Sequence, residues 1–490
     1  MRGGTRWDLV GARAQGIVAV YPGEAREMVS FGTSGLRGLA DDLTDDLVRR
    51  YVHAFAMSFP HHGALVMGRD LRASSPRLAG AVAEGAAMAG VRVVDCGVLP
   101  TPALALEADG RRALAVMVTG SHIPADRNGL KFYTQDGEIT KADEAVLVAA
   151  VARGDALPDT PVPEVEICAA SEAYVARYIA FFGEAALRGK RIGVWEHSSA
   201  AREVLPHVLR GLGAEVVHLD RSDDFVAVDT EAIDARVRLQ LAGWASEHGL
   251  DGIVSTDGDA DRPLVADGAG RVVPGDVLGP LVAQYLGARC VVTTVSANTM
   301  VEAMDVFDDV ERCRIGSPYV IEKMEEKMIG VGTNVVGYEP NGGFLLGFEV
   351  TRGGRRLAPL MTRDAVLPII GALVAAGAGP LADLIATLPM RRTATDRLTD
   401  VPREISKVLV ERFVQGDAGL VPERLGLAAH VDMTDGARVT FGGGEIVTVR
   451  PSGNAPELRC YVEADSAQVA EQLLAEMLAR LRAEVRAHRT

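Results

Sequence analysis

With 490 residues, 48% of them apolar and 24% charged, the chain has the composition of a soluble globular protein and is too long for one ordinary core, so roughly three to four domains are expected. Its 51 basic residues against 66 acidic ones leave a net charge of −15, which argues against nucleic acid as a partner, and 5% aromatic content offers little for base stacking. No uninterrupted apolar run reaches spanning length and no apolar stretch with a cleavage site opens the chain, so neither a membrane partner nor a secretory leader is expected.

Residues 1–30 carry little signal and read as an extension on the first domain. FGTSGLRG at 31–38 follows. Three glycines around Thr and Ser would expose backbone N–H groups suited to an oxyanion, with Arg37 inside the loop. A flexible turn carrying a surface arginine is the alternative. A strand at 64–67, a turn at 68–70, an N-cap at Ser75 before Pro76, a helix over 79–89 ended by Gly90, and a strand at 91–94 form an α/β unit. The pattern returns as a strand at 191–195, a helix at 200–212, Gly213 and a strand at 214–219. It returns again as a strand at 290–295 and a helix near 298–306. This repetition predicts an α/β fold class: three tandem related α/β domains with mixed sheets, built on right-handed crossovers.

Pro-rich 158–163 reads as a linker, and further boundaries fall near 268–275 and 389–399. The expected domains are therefore 1–160, 161–273, 274–390 and 391–490. The last differs in character, with strands at 437–441, 445–450 and 457–463. A long helix then carries Val469, Leu473, Met477, Leu481 and Val485 on one stripe. It reads as an α+β domain closing over the others. The five cysteines (Cys96, Cys168, Cys290, Cys313, Cys460) form no CxxC or Cys/His cluster, so no zinc site or disulfide framework is expected and a reducing cytoplasm fits best.

Four loops carry the chemistry. VTGSHIPADRNGLK at 118–131 follows an apolar strand-like run, and Pro124 with Gly129 forbids a helix, so Ser121 belongs to an ordered loop at a strand end. TDGDADR at 256–262 sets Asp257, Asp259 and Asp261 at every second position. Three converging carboxylates repel unless a cation lies between them, and hard oxygen ligands select Mg²⁺, Mn²⁺ or Ca²⁺. An EF-hand is excluded, because Arg262 stands at the required glycine and Gly268 at the required glutamate. An acidic surface turn is the alternative. Mg²⁺ usually takes phosphate oxygens too, so a phosphorylated Ser121 could complete its shell while Arg262 pairs another oxygen.

GYEPNGG at 337–343 offers Glu339 and Asn341, a pair suited to vicinal sugar hydroxyls, with a plain Pro-Asn-Gly turn as the alternative. RPSGNAP at 450–456, between two strands, offers Arg450, the Ser452 hydroxyl and glycine-supplied N–H groups as an anion nest. No GxxxxGKS and no GxGxxG at a strand–helix junction appears, which disfavours a nucleotide site. The missing glycines around Ser121 disfavour an esterase elbow.

FGTSGLRG, TGSHIPADRNGLKFY, DGDADR, GYEPNGG and RPSGNAP, in this order over about residues 31–490, resemble the five signature segments of the α-D-phosphohexomutase superfamily. The resemblance implies four domains around a central cleft and a cytoplasmic, monomeric or weakly dimeric isomerase. Ser121 would be the phosphoserine, binding Mg²⁺ together with Asp257, Asp259 and Asp261. Glu339 and Asn341 would grip sugar hydroxyls. Arg450, Ser452, Gly453 and Asn454 would hold the distal phosphate, and Arg37 and Lys131 would manage charge and protons at the transferred group. His122 is read as a hydrogen-bonder beside the carrier, with general base as the other role. The small-molecule partner would be a hexose phosphate and the activating intermediate a hexose 1,6-bisphosphate.

The chain departs from the family pattern at Ile123, where Asn is usual, at Gly343 (a common His) and at Asn341 (Ser). Residues 454–456 replace Thr-Glu-Pro. A phosphomannomutase activity leads. Phosphoglucomutase or dual specificity follows, then phosphoglucosamine mutase, since the sugar loop lacks that subgroup's Gln-Ser pair. A metal-dependent sugar phosphatase and a non-catalytic sugar-phosphate sensor are the rivals from other classes.

Overall fold

The computed structural model describes residues 29–159, 161–329, 333–389, 391–452 and 456–488. Its first three sheets share one plan. In the first, Leu114–Val118, Ala64–Arg69, Arg92–Val98 and Val165–Ile167 run parallel. Arg127–Thr134 then pairs antiparallel with Leu114–Val118, and Leu36–Leu39 lies beyond it. In the second, Glu215–Arg221, Arg191–His197 and Gly252–Thr256 are parallel and Pro263–Asp267 returns antiparallel. In the third, Asp309–Cys313, Cys290–Thr294 and Val335–Tyr338 are parallel, followed by antiparallel Phe344–Leu346 and Leu360–Asp364.

In all three, a buried parallel strand turns directly into an antiparallel neighbour, and a chemical motif occupies that turn. The delivering strands are buried along their length. That is why they read as short apolar runs rather than alternating ones.

The fourth sheet is wholly antiparallel, in the order Arg392–Leu398, Leu458–Ala464, Ile446–Pro451, Ala437–Phe441, Ala428–Asp432. Helix Ala467–Ala487 is capped by Ser466, whose hydroxyl accepts from Val469 N at 3.2 Å. It buries Leu473, Met477, Leu481 and Val485, as the stripe predicts, together with Ala470, Leu474 and Leu478.

One apolar core runs beneath the first three sheets, from Val66 and Met117 through Tyr174, Val194 and Val254 to Val336 and Ile370. The fourth unit has its own core around Leu409, Val449, Leu458 and Leu473. Its docking on the third includes polar contacts, Thr299 N to Glu463 (3.0 Å) and Ile315 N to Asp435 (3.1 Å).

Several expectations are corrected. Arg37 lies on the strand Leu36–Leu39, opposite Gly129, and not inside a loop. Position 129 admits the pairing only as glycine, since a Cβ there would fall 2.4 Å from Leu36 O. The helix expected at 200–212 begins at Val204. The residues before it brace the Asp257–Asp261 loop instead, through Ser199 Oγ to Thr256 Oγ1 (2.6 Å) and Ala200 N to Gly258 O (2.9 Å). The helix near 298–306 shrinks to Met300–Ala303. Ser74, rather than Ser75, precedes the first helical residue of Ser75–Met88. Arg392–Leu398, read as a boundary, is an edge strand whose mostly exposed residues hide its period. Past the Pro-rich linker, Val165–Ile167 still adds to the first sheet.

Candidate active site

Strand Leu114–Val118 delivers Ser121, which is buried with a left-handed φ of +53°. Such a backbone costs a non-glycine residue free energy and persists only when its surroundings enforce it. Here Ser121 N donates to Thr119 Oγ1 (2.8 Å) and Ser121 Oγ donates to Asp257 Oδ2 (2.5 Å). Beneath the loop, buried Arg72 donates to Ser121 O (2.8 Å), Ile123 O (2.6 Å), Arg127 O (2.9 Å) and also Pro124 O. Its guanidinium also packs 3.8 Å over the Phe225 ring and bonds Asp70. A Cβ at Gly120 would meet Arg72 Cζ at 2.7 Å, so glycine is needed for space.

Strand Gly252–Thr256 delivers the three aspartates, all buried, whose candidate ligand atoms lie within 4.8 Å of one another. The curl of this loop is not made by its glycine, Gly258. Ala260 carries the left-handed φ of +59°. Gly258 is there for contact between loops: a Cβ would sit 2.8 Å from Ser121 O and 2.7 Å from Phe225.

The outer oxygens of these carboxylates are spoken for. Asp259 Oδ2 accepts from Thr101 Oγ1 (2.5 Å) and Lys131 Nζ (2.6 Å). Asp261 Oδ2 accepts from Lys131 Nζ (2.5 Å) and from Arg363 Nη2 (2.7 Å) and Nε (3.1 Å). Asp259 Oδ1 and Asp261 Oδ1 are buried without a hydrogen-bond partner. Orphaned buried carboxylate oxygens are costly, and together with an all-oxygen donor set they fit a hard divalent cation. Burial, then Asp259 and Asp261, push Asp257 well above the usual carboxylate range. Burial acts on Asp261 the same way, but Arg363, Lys131 and Arg262 outweigh it and hold that group well below.

Around this centre stand the other predicted residues. His122 Nδ1 is 3.3 Å from Ser121 Oγ, and burial, then Arg262 and Arg37, push its imidazole well down, so it is neutral at pH 7. Arg37 reaches the same centre from its strand. Burial, then Arg262 and Arg363, lower it to about 10. Arg262 N donates to Asp257 Oδ1 (3.3 Å), while its Nε has no hydrogen-bond partner.

In the third loop, Glu339 is buried and its Oε2 lies 3.3 Å from Arg363 Nη1. Asn341 Oδ1 accepts from Gly343 N (2.9 Å), and its backbone oxygen accepts from Thr230 Oγ1 (2.6 Å). In the fourth, Arg450 Nη2 pairs with Asp435 at 3.2 Å and its Nε is buried without a partner. Ser452 N donates to Glu457 O (2.8 Å). Gly453 and Asn454 lie outside the described residues.

Sequence reasoning missed Arg72, Thr101, Glu231 and Arg363. The first had a signal, an Asp-x-Arg directly after a buried strand. Thr101 stands before Pro102 at a helix start. Glu231, raised to about 7 by burial and then by Asp229, sits where Arg262, Arg459 and Glu339 act on it, and no pattern announces it.

Four family models match in tandem. These are phosphoglucomutase/phosphomannomutase alpha/beta/alpha domain I over residues 28–157, domain II over 172–270, domain III over 274–391, and the C-terminal domain over 397–480. The chain belongs to the phosphoglucomutase/phosphomannomutase family. Among relatives within it, the phosphomannomutase of Sinorhizobium fredii is 44% identical, across 92% of this chain and 98% of that protein. A phosphomannomutase from Salmonella muenchen is 40% identical, across 93% and 96%. A phosphoglucosamine mutase from Symbiobacterium thermophilum is 30% identical, across 93% and 99%. The fold is that of a solved family protein from Burkholderia thailandensis, with a TM-score of 0.72 at 22% identity, covering 93% of this chain and 97% of that one. No helix among the described residues is long and apolar enough to cross a membrane.

Proposed function

We propose that the chain is a phosphohexose mutase interconverting mannose 6-phosphate and mannose 1-phosphate, with Ser121 as the phosphoryl carrier and a hexose 1,6-bisphosphate as activating intermediate. The observation that carries this reading is the 2.5 Å contact between Ser121 Oγ and Asp257 Oδ2, which holds a hydroxyl on a strained backbone against three converging carboxylates. The bond from phosphorus to Ser121 Oγ breaks as one forms to the free sugar hydroxyl. That hydroxyl loses its proton and Ser121 regains one. The bisphosphate then presents its other phosphate and the steps reverse, so no co-reactant is consumed.

Asp257, Asp259 and Asp261, with the oxygens on Ser121, would seat Mg²⁺, which when bound neutralises charge on the transferred group. Lys131 and Arg363 hold the outer aspartate oxygens in place. Arg37 and Arg262 direct positive charge at the centre, and such preorganised charge supplies most of the stabilisation in phosphoryl transfer. Neutral His122 orients the Ser121 hydroxyl. Glu339 and the amide of Asn341 are the groups for sugar hydroxyls. Arg450, with its unpartnered Nε, anchors the distal phosphate together with Ser452, Gly453 and Asn454. Mannose ranks first because the relatives at 44% and 40% identity are phosphomannomutases. Five free cysteines suit a reducing cytoplasm, and a monomer or weak dimer suffices.

Mannose, glucose and glucosamine 1-phosphates, assayed side by side by phosphorus NMR, test the reading. It expects 6-phosphate product, fastest from mannose. Free phosphate without isomer would make the chain a phosphatase, and an unchanged substrate with no phosphate on Ser121 by intact mass would make it a sensor.

A further inference from the structure

Arg363 ties together two loops that come from different domains. Its Nε and Nη2 donate to Asp261 Oδ2 at 3.1 and 2.7 Å, and its Nη1 faces Glu339 Oε2 at 3.3 Å. The side chain is only 4% exposed. Its strand, Leu360–Asp364, is pinned directly after it, where Asp364 accepts from Tyr174 (2.6 Å) and Tyr178. The space for the guanidinium arm exists because residue 343 is glycine. A Cβ at 343 would lie 2.7 Å from Arg363 Cδ and 2.9 Å from its Cγ. Gly343 has no left-handed φ, so the glycine answers to volume and not to torsion.

We propose that Arg363, admitted by Gly343, is a positioning residue coupling the metal loop to the sugar loop: it fixes one oxygen of Glu339 toward the sugar and competes, as a resident cation, for Asp261. The sugar half rests on the mutase reading; the Asp261 half does not. A planar fork can hold two carboxylates at set angles, which an ammonium cannot. At the same time its charge reduces the pull of the aspartates on a divalent ion. Loss of Arg363 therefore moves the two affinities in opposite directions. A mere structural bolt would lower both.

The test uses the unphosphorylated full chain, with Mn²⁺ binding read by electron paramagnetic resonance and mannose 1-phosphate binding by calorimetry. R363M is expected to bind Mn²⁺ several-fold more tightly and mannose 1-phosphate about tenfold more weakly, the usual loss for one charge-assisted hydrogen bond. R363K, which keeps charge but not the fork, should hold the wild-type Mn²⁺ affinity and lose sugar affinity. G343A should weaken sugar binding in the wild type and add nothing in the R363M background, because it acts by displacing the same side chain. Weaker Mn²⁺ binding by R363M with an unchanged melting curve, or additive effects of G343A and R363M, would overturn the proposal. If R363M fails to fold, R363K and G343A decide by the same signs. If the wild type does not bind mannose 1-phosphate, the mutase reading falls while the Mn²⁺ comparison still judges Arg363.

Discussion

The cleft has two ends, and they are fixed by different means. At the Ser121 end, three domains share one apolar core, and the Oδ2 atoms of Asp257, Asp259 and Asp261 each have a partner among buried side chains. At the Arg450 end, a domain with a separate core supplies an arginine paired with Asp435, which in turn accepts from Ile315 N of the third unit. Phosphoryl transfer needs donors and charges placed before the reaction, so the first end is over-determined. In the proposed mechanism a sugar phosphate binds in two orientations, which needs a recognising end with unspent capacity, and Arg450 Nε is left without a hydrogen-bond partner.

This contrast can be broken most sharply at Ser121. Ser121→Ala should cut turnover by several orders of magnitude, as loss of a covalent carrier does, with a near-native circular dichroism melt. Retained activity would remove the carrier. Next in size is Gly258→Ala. Its new Cβ must push the metal loop off Ser121 O, 2.8 Å away, and a displacement of that order costs about a hundredfold in kcat. Wild-type kcat in that variant would mean the loop contact is incidental.

At the other end, Arg450→Ala should raise KM for either hexose phosphate roughly tenfold with a smaller change in kcat. Asp432→Ala, on an outer strand, should leave KM near wild type. Equal effects of the two would dissolve the distinction between the ends. The smallest effect concerns pH. His197 Nε2 lies 3.0 Å from Thr256 O at the base of the metal loop, and burial pushes its imidazole down to about 4. In the unfolded chain it titrates near 6.5. Between those values the unfolded chain binds the extra proton, so stability is full above about 6.5 and falls as pH drops toward 4. Urea midpoints at pH 7 and pH 5 should diverge in the wild type and less so in His197→Gln. The same divergence in both would clear His197 of the effect.

The family and the place of each motif were written in local sequence. A buried parallel strand is a short apolar run, and the loop after it must carry Gly, Pro, Ser or Asp to turn the chain, so Ser121, the three aspartates and Glu339 stand out where such runs end. The C-terminal helix was legible for the same reason, because a 3.6-residue period survives in one dimension. What contacts what was not so written. Arg37 was misread as a loop residue because the strand holding it is defined by pairing across ninety-odd residues with Gly129. Gly258 and Gly343 look like turn glycines, yet Gly258 answers to a carbonyl brought from another domain and Gly343 to the Arg363 side chain of its own sheet. Arg363 is a single arginine with no spacing to mark it, and only the assembled fold gives it carboxylates and gives Arg72 the carbonyls of the Ser121 loop to hold. Periodicity and turn chemistry act between near neighbours, and so the sequence alone determined the loops. Charge neutralisation in a buried space acts between whatever the fold brings together, and so the tertiary structure decided which cations serve those loops.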